Sequence, residues 1–156
     1  MTAIATTASL TQRQVCLLQD HVASEMEPVE ITYEHHFADG IYGRIMKVPA
    51  GTIVVGKPHR TEHLCVLLKG RLVVTADDGT LTELAAPAVF VASPGQKKAA
   101  LVLEDLEFMN IHPTTTTDLD EIERQVIIPE EEFRANLLSS EVATRELLEF
   151  AKEVQP

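Results

Sequence analysis

Residues 51–70 read GTIVVGKPHRTEHLCVLLKG. Two short runs rich in β-branched and aliphatic residues, TIVV and LCVLL, flank a polar centre that holds Pro58, His59 and His63. In LCVLL both parities are apolar, with Cys65 and Leu67 on one face and Leu64, Val66 and Leu68 on the other. A strand that is apolar on both faces belongs in a barrel wall whose outer side is covered. The helical ends of the chain, or another subunit, are the expected cover.

Outward from this stretch the same texture continues. Ile31, Tyr33, His35 and Phe37 alternate with Thr32, Glu34 and His36, which is a strand pattern. Turn signals recur at Asp39-Gly40, Pro49-Ala50-Gly51, Lys69-Gly70, Asp77-Asp78-Gly79 and Ser93-Pro94-Gly95, with RLVV, AVFV and AALVL between them. Asp78-Gly79 between Val73-Val74 and Leu81 marks a hairpin. Many short strands without intervening helices predict an antiparallel sandwich or barrel.

The ends read differently. Val15, Leu18, Val22 and Met26 recur at helical spacing, with Ser9 or Thr11 as cap and Pro28 as stop. After Pro113 three short helices are expected. Thr117 or Asp118 caps the first, Pro129 opens the second, and Ser140 caps a third whose stripe is Leu147, Phe150, Ala151 and Val154. The expected organisation is an arm and helix over 1–27, a barrel over 28–113, and an acidic helical tail over 114–156 that packs on the barrel, one domain overall. Residues 1–8 are expected to fray.

The formal net charge is −11, and residues 118–156 hold eleven acids against four bases. Such a surface repels phosphate backbones, which argues against nucleic acid as a partner. Cys16 and Cys65 lie far apart without metal-type spacing, so both are read as reduced, buried thiols. The first residues, MTAIATTASLTQ, lack the basic and apolar regions of a secretory signal, and no stretch approaches the ~20 apolar residues of a membrane span. A cytoplasmic protein, of a bacterium or a phage-infected host cell, is the expectation.

The chemistry-bearing residues are histidines. On a straight strand His59 and His63 share a face but sit ~13 Å apart, so they share a metal only if Arg60-Thr61-Glu62 turns. His112 is in phase with Phe108 and Asn110 and is the candidate third ligand.

Residues 51–70 resemble the first motif of the cupin superfamily, a Gly, a His-x-His pair, a Glu, and a Gly seven residues after the Glu. His59 stands at the second His, Lys57 at the first, and His63 at the Glu. Ser93-Pro94-Gly95-Gln96-Lys97-Lys98 resembles the second motif, Pro-x-Gly-x-x-His, with Lys98 at its His. The chain is similar to short cupin-like proteins of tailed bacteriophages, which carry His-x-x-x-His and an Ile-His-Pro ending, here Ile111-His112-Pro113. The resemblance covers about residues 40–112. It implies a double-stranded β-helix (jelly-roll) barrel and a divalent transition metal, Fe, Mn, Ni or Zn, on His59, His63 and His112.

It further implies a small-molecule ligand, with Lys98, Lys57 and Cys65 as candidate ligand-binding residues, Lys98 suggesting an anionic one. Glu62 is a weak acid–base candidate. Each has a plainer role: Glu62 in a solvated turn, Lys98 on the surface, Cys65 in the core, His112 bonded to backbone. His35 and His36 point to opposite faces and are not assigned to the site. No GxSxG, P-loop or GxGxxG motif is present. The leading expectation is a metal-dependent or metal-bearing cupin, as a homodimer. The alternatives are a metal-free ligand-binding or sensing module and a viral accessory protein that works by contact.

Overall fold

The computed structural model describes residues 8–154, so the terminus expected to fray lies outside the described residues apart from Ala8. Helix α1 (Gln12–Glu25) opens with a reciprocal capping box between Thr11 and Gln14 and stops ahead of Pro28, as its sequence predicts. Seven strands follow: β1 (Thr32–Ala38), β2 (Ile41–Val48), β3 (Ile53–Val55), β4 (His63–Thr75), β5 (Leu81–Ala85), β6 (Ala88–Ala92) and β7 (Ala99–Pro113). Two helices end the chain, α2 (Leu119–Val126) and α3 (Glu130–Glu153).

Every strand pairing is antiparallel, and two long strands organise the whole. The first part of β4 pairs with β6 and with the last part of β7, which pairs in turn with β2 and through it with β1. The second part of β4 pairs with β5 and with the first part of β7, which pairs with β3. Both long strands thus pass from one half-sheet to the other, giving β1-β2-β7-β4-β6 facing β3-β7-β4-β5. This is a jelly-roll barrel, with a helix before it and helices after it.

The bend in β4 corrects one expectation. Lys69-Gly70 is not a turn between two strands. It lies in a run of register shifts between Leu67 and Leu72, within one continuous strand that stays paired to β7 on both sides. Gly70 has φ +89°, and a Cβ there would stand 2.4 Å from the Asp105 carbonyl oxygen, so the bend needs glycine. The Asp77-Asp78-Gly79 hairpin forms as predicted, and the N-terminal arm lies over it: Leu10 N–H donates to the Gly79 carbonyl and Leu81 N–H to that of Ala8.

Between the half-sheets Val48, Leu67, Leu72, Val102 and Leu106 form the buried core. The helical ends do not cover the outer face of β4, where Leu64 is 40% and Leu68 44% exposed. The helices pack elsewhere. Helix α2, capped by Asp118, buries Ile122 and Val126 with Ile127 against Tyr42. The two helices expected around Pro129 and Ser140 are one: α3 runs unbroken through Ser139-Ser140, and Pro129 is its N-cap residue. Only its first part is tied down, through buried Phe133 and Arg134 bonded to Asp20 of α1. Leu147, Phe150 and Val154 are at least 60% exposed, so this stripe does not dock on the barrel.

Candidate metal centre

His63 is the first residue of β4, and His112 lies near the end of β7. The ladder that pairs Leu64 with Ile111 sets the two histidines at the same end of adjacent strands. His59 precedes β4 and is separated from it by the bend at 60–62 that sharing a metal requires. The segment is clamped from both sides. Arg60 N–H donates to the Val126 carbonyl, Ile128 N–H to that of Pro58, and Gly95 N–H to that of His59. The chain after α2 therefore holds His59 in place.

Ring centroids lie 4.2 Å apart for His59–His63, 4.6 Å for His63–His112 and 5.2 Å for His59–His112. One ring nitrogen from each lies within 4.8 Å of the other two. Donors at ~2.1 Å from one ion stand about 3.4 Å from each other, so a small movement of the rings closes the set. His63 Nε2 lies 3.2 Å from Asn110 Oδ1 and its Nδ1 3.3 Å from the Thr61 carbonyl oxygen. His59 Nε2 and His112 Nδ1 are buried without a hydrogen-bond partner. Unpartnered buried polar atoms are rare and ask for an explanation.

Burial holds the rings neutral, with a contribution from Arg44 and, for His59 and His112, from the neighbouring imidazoles. It takes His59 down to about 3 and His112 to about 4, and lowers His63 too. A transition ion requires neutral imidazoles with a free lone pair. His59 Nε2 and His112 Nδ1 offer one as they stand, and His63 Nδ1 offers one once it turns from the Thr61 carbonyl, so the residues fit an ion.

His59 and His63 lie at the polar end of a cavity of about 150 Å³ between the half-sheets, and His112 packs against both rings. Its other end is apolar, with Leu72, Val74, Phe90, Val102 and Phe108 among its walls. No Asp or Glu lines it. Cys65 is in the wall, where burial pushes its thiol up to about 12, and its Sγ contacts Asn110 Oδ1 at 3.4 Å. It stays protonated and inert.

The two expected lysines reach the cavity rim already matched. Lys57 is bonded to Glu123 and Lys98 to Asp77 and the Thr75 carbonyl. Glu62 is exposed and does not line the cavity, so the structure does not bring it to the site. His35 and His36 are outside as well, bonded to Tyr42 and paired with Glu34 respectively.

Three residues went unassigned in the sequence reading. Asn110 shares the parity of His112 and Phe108, a usable signal. Arg44 lines the cavity, one alternation from Tyr42 and Met46. Lys97, not Lys98, is the buried lysine, 1% exposed, with its ammonium on Glu130 and 5.3 Å from the Phe133 ring centroid.

No protein-family profile and no curated protein matches the chain. Among solved structures, a cupin superfamily protein from Desulfitobacterium hafniense is similar with TM-score 0.46 and 16% identity over 57% of this chain and 82% of that one. KdgF from Halomonas sp. gives 0.48 and 18%, over 62% and 90%. An acetylacetone dioxygenase from Acinetobacter johnsonii gives 0.44 and 19%, over 53% and 59%. The likeness is one of strand arrangement, and the reading of the site rests on the side chains themselves.

Proposed function

We propose that this chain is a cupin-type small-molecule-binding protein that holds a divalent transition metal on His59, His63 and His112. The observation that carries this is the pair of buried, unpartnered nitrogens, His59 Nε2 and His112 Nδ1, converging with His63. Imidazole donors suit Fe, Mn, Ni or Zn. Bound there, such an ion would supply Lewis-acid or redox chemistry to a ligand in the cavity, since three protein donors leave positions open. The chain's own residues do the rest. Asn110 orients His63, the Val126–Ile128 segment fixes His59, and the apolar walls exclude water from the ligand.

The test is elemental analysis of protein made without a histidine tag, followed by titration with each metal. About one ion per chain is expected in the wild type, and far less in His59→Ala, His63→Ala or His112→Ala. A wild type that takes up none overturns the metal and leaves a ligand-binding module.

The same reading includes a homodimer. Leu64, Val89 and Val91 are neighbours on the outer face of β4 and β6 and are 40–65% exposed, an apolar patch that a second copy would cover. Light scattering should give twice the 17.2 kDa chain mass, and Val89→Asp should return the monomer.

A further inference from the structure

Strand β2 alternates so that Tyr42, Arg44, Met46 and Val48 face inward; Tyr42 and Val48 are buried, and Arg44 and Met46 line the cavity. Arg44 pairs across the ladder with Asn110, which pairs with Cys65, so its guanidinium belongs to the row of inward residues beside the histidines. It is half-buried. Among the described residues it has no ion pair and no side-chain hydrogen bond, and its guanidinium carbon lies 5.3 Å from the centroid of the Tyr33 ring. The contrast with the other basic groups that are not exposed is sharp. Among the described residues Lys47 meets Glu34, Arg71 meets Glu83 and Glu104, Lys97 meets Glu130, Lys98 meets Asp77, and Arg134 meets Asp20 and Glu130.

A half-buried cation in a wall without carboxylates asks for an anion from outside the chain. The planar guanidinium fork matches a carboxylate with two parallel hydrogen bonds. Behind it lies an apolar cavity of about 150 Å³. Cavities of that volume accept a benzene-sized body. The three neutral imidazoles add no negative charge, so metal uptake leaves the need for an anion in place.

We infer that the cavity takes a small monocarboxylate whose apolar body fills the barrel and whose carboxylate is held by Arg44. This deepens the proposed reading of the cavity as a small-molecule site and rests on it, but not on the metal.

The probe is benzoate, with benzamide as its neutral counterpart. Calorimetric titration is run on metal-free and zinc-loaded wild type, Arg44→Gln and Arg44→Lys. In the metal-free protein, where no ion competes for the carboxylate, benzoate should bind more tightly than benzamide. Arg44→Gln should weaken benzoate roughly tenfold to a hundredfold and leave benzamide unchanged. Arg44→Lys keeps the charge without the fork and should fall between; it also carries the test if Arg44→Gln fails to fold. Equal binding of benzoate and benzamide by the wild type overturns the inference, as does benzoate affinity that both variants retain. If neither compound binds any form, the small-molecule reading of the cavity falls with it. Absence of metal uptake leaves the benzoate comparison intact.

Discussion

The acidic tail and the barrel cavity treat charge in opposite ways. In and around the tail, cations sit on carboxylates: Lys57 on Glu123, Arg60 on Glu132, Lys97 on Glu130, Arg134 on Glu130 and Asp20. At the cavity Arg44, His59 and His63 line the wall with His112 clustered on the two imidazoles, and no carboxylate lines it. A formal net charge of −11 therefore describes the outside of this molecule and not its site. The tail's acids tie it to segments that carry the site, and the interior keeps donors and a cation for something that is not part of the chain.

The comparison breaks most sharply at the ligands. His59→Ala or His112→Ala should lower metal affinity more than roughly a hundredfold, measured by competition with a chelator, because two remaining imidazoles hold an ion poorly. Next is the tail's apolar attachment. Ile122 is 3% exposed against Tyr42, Val126 and Ile127. Ile122→Ala should cost about 2–5 kcal/mol in urea unfolding and weaken metal binding as well, since the Val126 carbonyl steadies the His59 segment.

Acid gives a smaller, graded effect. The buried rings titrate below their ordinary 6.5, His112 at about 4 and His59 at about 3. The unfolded chain then binds protons that the native one refuses. Stability of the metal-free protein should be full above pH 6.5 and be lost as pH falls towards these values. A melting series from pH 7.5 to 4 checks this, and a His59→Gln/His112→Gln double variant should show a shallower slope. The smallest effect is at the rim. The Lys57–Glu123 pair is 63% and 52% exposed, so Lys57→Ala should change neither melting temperature nor metal affinity measurably.

Most of the barrel was legible because its signals are local. The Asp39-Gly40 turn, the alternation in β1, the phase of Phe108, Asn110 and His112 in β7 and the Asp118 cap all depend on residues close in sequence. The triad was legible through parity and the need for a bend at 60–62. What escaped depends on partners distant in the chain. Lys69-Gly70 reads as a turn until β7 is seen pairing on both sides of it. Ser140 reads as a cap, yet an exposed serine does not stop a helix that nothing else interrupts. The lysine that is buried was settled by Glu130, and Arg44 by the absence of any acid across the barrel. No local pattern says that α1 and α3 leave the outer face of β4 open.

The most direct test is X-ray absorption on the zinc-loaded wild type. Three imidazole nitrogens at about 2.0–2.1 Å and no sulfur are expected, because burial keeps Cys65 a thiol. Fewer than three imidazoles, or a sulfur at about 2.3 Å, would contradict a metal held by His59, His63 and His112.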